Sequence, residues 1–117
     1  KKNAVAAEQA QIALARVAKE LSAVQAITAA DEKSITYTRA GASHTLAWTS
    51  ADQPLTLDGD TLIDKVQSFS LTYHNSFNAE PLTDFLLKTT TTTVIELTFQ
   101  IKVYNDILLT FVQRVAI

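Results

Sequence analysis

The sequence predicts an α+β domain of two layers, a long N-terminal helix packed on an antiparallel sheet. Three observations predict it. Eleven alanines fall in residues 1–30 and six in the rest of the 117-residue chain, whereas Thr occurs once up to Ala30 and fifteen times after it. Ala is the best helix former and Thr favours pleated strands. Apolar residues recur every three or four positions before Asp31 and every second position after Ser34. The connections in the second part are short and hairpin-like, which makes its sheet antiparallel. A helix laid on that sheet buries the apolar side of both.

The helix is expected over residues 3–30, a stretch without Gly or Pro. Leu14, Val17, Leu21, Val24 and Thr28 keep to one face, and Ile12 and Ile27 widen the stripe. Arg16 and Glu20 form an i,i+4 pair of about 0.3 kcal/mol. At roughly 1.5 Å per residue the helix would be on the order of 40 Å long. That exceeds the average of about 11–12 residues and what so small a domain covers. Its first third, Asn3 to Gln11, has Val5 as its one large apolar residue and is expected to project or to pack on something outside this chain. Lys1-Lys2 running straight into helix reads as a cut through a longer helix.

Residues 31–117 are expected to form the sheet of the same single domain. Ile35 and Tyr37, then His44, Leu46 and Trp48, make a first hairpin around the turn Arg39 to Ser43. Leu55 and Leu57 lead into Asp58-Gly59, a strong hairpin signal, followed by Leu62-Ile63. Val66 to Tyr73 is a longer strand, with Phe69, Leu71 and Tyr73 on one face. Residues 74–92 are irregular, with Leu82, Phe85, Leu86 and Leu87 as a short helical turn or a loop on the sheet edge. The run Thr89–Thr93 is expected to enter a strand. Val94 to Val103 alternates cleanly, Tyr104-Asn105-Asp106 is a turn, and Ile107 to Ile117 is the last strand.

Composition excludes several chemistries. With no Cys there are no disulfides, thiolate metal sites or thiol nucleophiles. A net charge of −2 gives no global basic field for nucleic acid or anionic lipid. Gly41 and Gly59 stand alone, so no glycine-rich loop cradles a phosphate. No apolar run approaches the roughly 20 residues of a membrane span, and no signal peptide pattern is visible. Asp58, Asp60 and Asp64 place three carboxylates within seven residues and are the candidate Ca2+ ligands. Calcium takes about 6–8 oxygens, and an EF-hand spacing would need an acid where Phe69 stands, so a solvated hairpin turn is the plainer reading. His44 and His74 lack a neighbouring motif and read as structural. Without a Gly-x-Ser-x-Gly elbow a Ser-His-Asp hydrolase has little support, and the chain is not expected to be an enzyme. Trp48, Phe69, Phe99 and Phe111 read as core filling, with an aromatic ligand pocket as the alternative.

Four stretches together resemble the soluble part of type IV pilin-like proteins, particularly minor pilins and minor pseudopilins of type IV pili and type II secretion. Ala15 to Ile27 is similar to the second half of the pilin spine helix. Leu62 to Tyr73 is similar to a strand common in minor pilins. Phe111 to Val115 is similar to their final strand, with Ser34 to Tyr37 as the first strand after the helix. The resemblance implies a fimbrial or pseudopilus subunit, processed and methylated at an N-terminus upstream of this chain. It implies an inner-membrane anchor, a periplasmic domain, and assembly with other pilin subunits in adhesion, motility or protein secretion. It implies no nucleic-acid partner and no small-molecule substrate. Val5, Ala6, Gln9, Ala13 and Arg16 are the residues then expected at the subunit interface. The alternative is a small-ligand binding domain, a helix over a curved sheet with a pocket.

Overall fold

The computed structural model describes residues 2–103 and 106–117. Helix α1 (Lys2–Ser22) is followed by strands β1 (Ala26–Ala30), β2 (Ser34–Arg39), β3 (Ala42–Ala47), β4 (Gln53–Leu57) and β5 (Asp60–His74). A short helix α2 (Phe85–Thr91) precedes β6 (Val94–Lys102) and β7 (Leu108–Ala116). All seven strands form one antiparallel sheet in sequence order, each paired with the next. Among the described residues, no helix is long and apolar enough to cross a membrane.

The expected two-layer α+β domain with a long helix is therefore corrected. Strand outweighs helix by about two to one, and the sheet curls into a half-barrel instead of lying flat under a helix. The curl is held by backbone bonds between distant strands. β4 is short, so the second half of β5 has a free side there. The turn between β1 and β2 fills it: Leu71 N donates to Glu32 O at 2.7 Å, and the Tyr73 hydroxyl donates to Asp31 O at 2.8 Å. Trp48 N donates to Lys33 O at 3.0 Å, and the Trp48 indole donates to Val66 O at 3.1 Å.

The helix ends at Ser22, eight residues before the expected stop at Ala30. Ala23 N and Val24 N bond back to Glu20 O and Leu21 O, closing the last turn at i→i−3 spacing. Ala26 to Ala30 then pair with β2, because Ile27 and Ala30 reach the core from a strand. Ladder bonds and burial outweigh the helix preference of alanine there. Thr28, expected on the helical stripe, is exposed on β1.

The core face of α1 is Ala10, Ala13, Leu14, Val17 and Leu21, all under 9% exposed. Two alanines in that face let α1 lie close, chiefly against β7 and then β5. Ile12 does not widen the stripe. It stands two residues from Leu14, about 200° round the helix, and is 66% exposed.

Two turns carry the register of the first four hairpin strands. Ala40-Gly41 and Asp58-Gly59 both have positive φ at both positions, the type I′ pattern whose twist matches that of the strands. β5 continues unbroken from Asp60 to His74, joining the Leu62-Ile63 segment to the longer strand. Lys65, with φ 53°, lies in a bulge of β5 against β4, and Gln67 marks a second irregularity, against β6.

α2 begins at Asp84, whose side chain accepts from Leu87 N at 3.1 Å. Thr89 to Thr91 complete this helix instead of entering a strand. The hydroxyls of Thr90, Thr91 and Thr92 each donate to the carbonyl four residues back. Of the expected turn Tyr104-Asn105-Asp106, the first two residues lie outside the described ones, and Asp106 has φ 59°.

Candidate functional site

The outward side of α1 is one of the surfaces that expose large apolar side chains, and α2, with Phe85, Leu86 and Leu87, is another. Val5 and Ile12 are seven residues apart, two helical turns, and so share a side. They are 52% and 66% exposed, while the opposite side of the same helix is core. Gln9, Arg16 and Lys19 are exposed on the same flank. Ala6 is half-buried against the core and Ala13 is 4% exposed within it. Of the five expected interface residues, then, Val5, Gln9 and Arg16 are open to a neighbour and Ala13 is not. Ile12 joins this surface, a residue the sequence pattern assigned to the core.

A groove of about 490 Å³ runs beside it. Ala6, Gln9 and Ile12 form one wall, and Leu62, Ile63 and Ile101 the other. Asp64, Lys65 and Lys102 stand at its edge, so the Lys65 bulge shapes the groove.

Where α1 ends, Glu20 gathers a polar node. Its Oε1 accepts from the Tyr37 hydroxyl at 3.0 Å and from Arg39 Nε at 2.9 Å. The expected Arg16–Glu20 pair is replaced by this one, because β2 brings Arg39 and Tyr37 to the helix. Burial, then the Glu20 hydrogen bond and its charge, push the Tyr37 phenol well above its ordinary pKa. Arg16, Lys19, Ala23 and Arg39 line a second depression around Glu20.

The acids of the β4–β5 turn have separate surroundings. Asp58 Oδ2 lies 2.6 Å from His44 Nδ1, and its Oδ1 accepts from Thr45 N at 2.8 Å. Those two bonds hold the Asp58 carboxyl below its ordinary pKa, the His44 contact contributing most. Asp60 and Asp64 are exposed, with Asp64 at the groove. Among the described residues, no three His, Asp or Glu side chains are arranged to hold a metal ion.

His74 is 2% exposed and has both nitrogens engaged, with Ala79 O and Thr72 Oγ1, each at 2.8 Å. Trp48, Phe69 and Phe99 are buried in the core, and Phe111 stacks on Phe99 at 5.2 Å between ring centroids. The His44–Asp58 contact had no local signal, since it depends on the register of β3 against β4. No family model, no curated protein and no solved structure matches this chain.

Proposed function

We propose that this chain is a structural, non-enzymatic subunit of a type IV pilus or a type II secretion pseudopilus, and that it acts by assembly through α1. One observation carries the reading: Val5 and Ile12 stand exposed, two turns apart, on a helix whose other side is already buried. Large apolar side chains grouped on a surface mark a contact face. The resemblance of Ala15 to Ile27, Leu62 to Tyr73 and Phe111 to Val115 to pilin-like proteins points the same way. In this reading the full-length protein is anchored in the inner membrane upstream of α1. The described domain lies in the periplasm or on the filament, and its partners are other pilin or pseudopilin subunits.

The test is Ile12→Asp in the full-length protein. The expected result is loss of the subunit from sheared filaments or pseudopili with an unchanged circular dichroism spectrum. Incorporation at the wild-type level would sink the reading.

A second reading has the groove as its support. Leu62, Ile63, Ile101, Ile12 and Ala6 offer an apolar lining to a small ligand. It expects saturable binding of an apolar fluorescent dye, abolished by Leu62→Asp. Unsaturable or unaltered binding counts against it.

A further inference from the structure

We propose that the depression where the end of α1 meets β2 binds a doubly charged phosphate group, free or carried by a lipid headgroup. It lies at the C-terminal end of α1, beyond Val5 and Ile12, and does not depend on the assembly reading of that helix. Its volume is about 370 Å³, and Arg16, Lys19, Glu20, Ala23 and Arg39 line it. A phosphate needs only a few water volumes of about 30 Å³ each. Arg16, Glu20 and Ala23 stand four and then three residues apart, so they share one side of the helix, with Lys19 beside them. β2 supplies Arg39 at its last position. The lining holds three cations against one carboxylate, an excess of two positive charges on a chain whose net charge is −2.

The one carboxylate is already engaged. Glu20 Oε1 accepts from the Tyr37 hydroxyl at 3.0 Å and from Arg39 Nε at 2.9 Å, and the Glu20 side chain is 16% exposed. Tyr37 is fully buried, so it fixes Glu20, and Glu20 in turn fixes the guanidinium. That contact takes only the Nε of Arg39. Its two Nη groups keep their donors, in a planar fork that matches two oxygens of a phosphate. A guanidinium held in place beforehand loses little freedom when the ligand arrives. Among the described residues, Arg16 and Lys19 enter no ion pair within the chain. Cations gathered in one depression repel one another, and a bound anion removes that repulsion. A carboxylate would cancel one of the two excess charges. A phosphate monoester or inorganic phosphate carries up to two and has acceptor oxygens for all three cations.

The test is a titration of inorganic phosphate into the isotope-labelled chain, followed by NMR at constant ionic strength with chloride as the balancing anion. The expected result is a saturable shift of the backbone amides of Lys19, Glu20, Ala23 and Arg39. Arg16→Gln and Lys19→Gln, both at exposed positions, are each expected to weaken binding about three- to tenfold. Arg39→Lys keeps the charge and loses the fork, and a similar loss is expected. Acetate, with one charge, is expected to bind more weakly than phosphate. A second arm uses phosphatidylcholine vesicles with and without phosphatidate. Sedimentation with the phosphatidate vesicles that inorganic phosphate competes away assigns the group to a headgroup. Amide shifts with phosphate but no sedimentation assign it to the free anion. The proposal is overturned by any of three results: no saturable shift up to tens of millimolar phosphate, acetate binding as tightly as phosphate, or unchanged affinity in the Arg16→Gln, Lys19→Gln double variant.

Discussion

Glu20 shows how one side chain ties two elements together. The Tyr37 ring is fully buried, and its hydroxyl has Glu20 Oε1 as its partner at 3.0 Å. Glu20→Ala leaves that hydroxyl and the Arg39 guanidinium without their acceptor. A loss of about 1–3 kcal/mol is expected, read as a lower urea midpoint at unchanged slope. The same residues set a pH dependence. Burial raises the phenol pKa of Tyr37 and of Tyr73, with Glu20 adding to the first and the Asp31 charge to the second. A group whose folded pKa is raised contributes its full stabilisation below the unfolded value, which for tyrosine is about 10. Above that pH the unfolded chain gives up protons that the folded one keeps. Stability should therefore fall from about pH 10 upward. The double variant Tyr37→Phe with Tyr73→Phe should flatten that fall in urea titrations between about pH 8 and 11.

At the scale of elements, the hairpins depend on turn chemistry. Gly59 has φ 86° with open space where a Cβ would stand. Gly59→Ala therefore costs backbone strain and no clash, about 1 kcal/mol, measurable as a lower thermal midpoint. Asp58-Gly59 was legible in the sequence for the same reason: few dipeptides take positive φ twice. The alternation of Val94 to Lys102 was legible because one side of β6 is core and the other is not. The end of α1 was not. Ala26, Ala29 and Ala30 are strong helix formers, no Gly or Pro precedes them, and only pairing with β2 makes them a strand. That misplaced boundary also hid Ile12. A stripe fitted through Ile27 and Thr28 drifts from the true core face, which Ala10, Leu14, Val17 and Leu21 define. The threonine run was misread because β-branched residues favour strands, whereas here their hydroxyls bond back to the carbonyls of α2. Of the outward surface, Val5, Gln9 and Arg16 could be picked out from the pattern. The polar node at Glu20 and the His44–Asp58 contact could not, since both depend on which strands become neighbours.

For the whole molecule, the order of strands matters more than any one of them. Each strand pairs with its neighbour in sequence, so most of the sheet closes short loops. The exception is α1, the first element, which packs chiefly on β7, the last. Loop-closure entropy penalises contacts between chain ends most, so such contacts form late on the folding route. The meander is then expected to zip hairpin by hairpin, with the helix sealing it afterwards. Leu21→Ala empties a fully buried position at that seal and should cost about 2–5 kcal/mol. In stopped-flow chevrons the loss should appear mainly as faster unfolding, with the refolding rate little changed. A refolding limb slowed by the full amount would mean that the helix docks early. The packing of α1 on β7 thus makes the lifetime of the native state, more than the speed of reaching it, the property that the N-terminal helix controls.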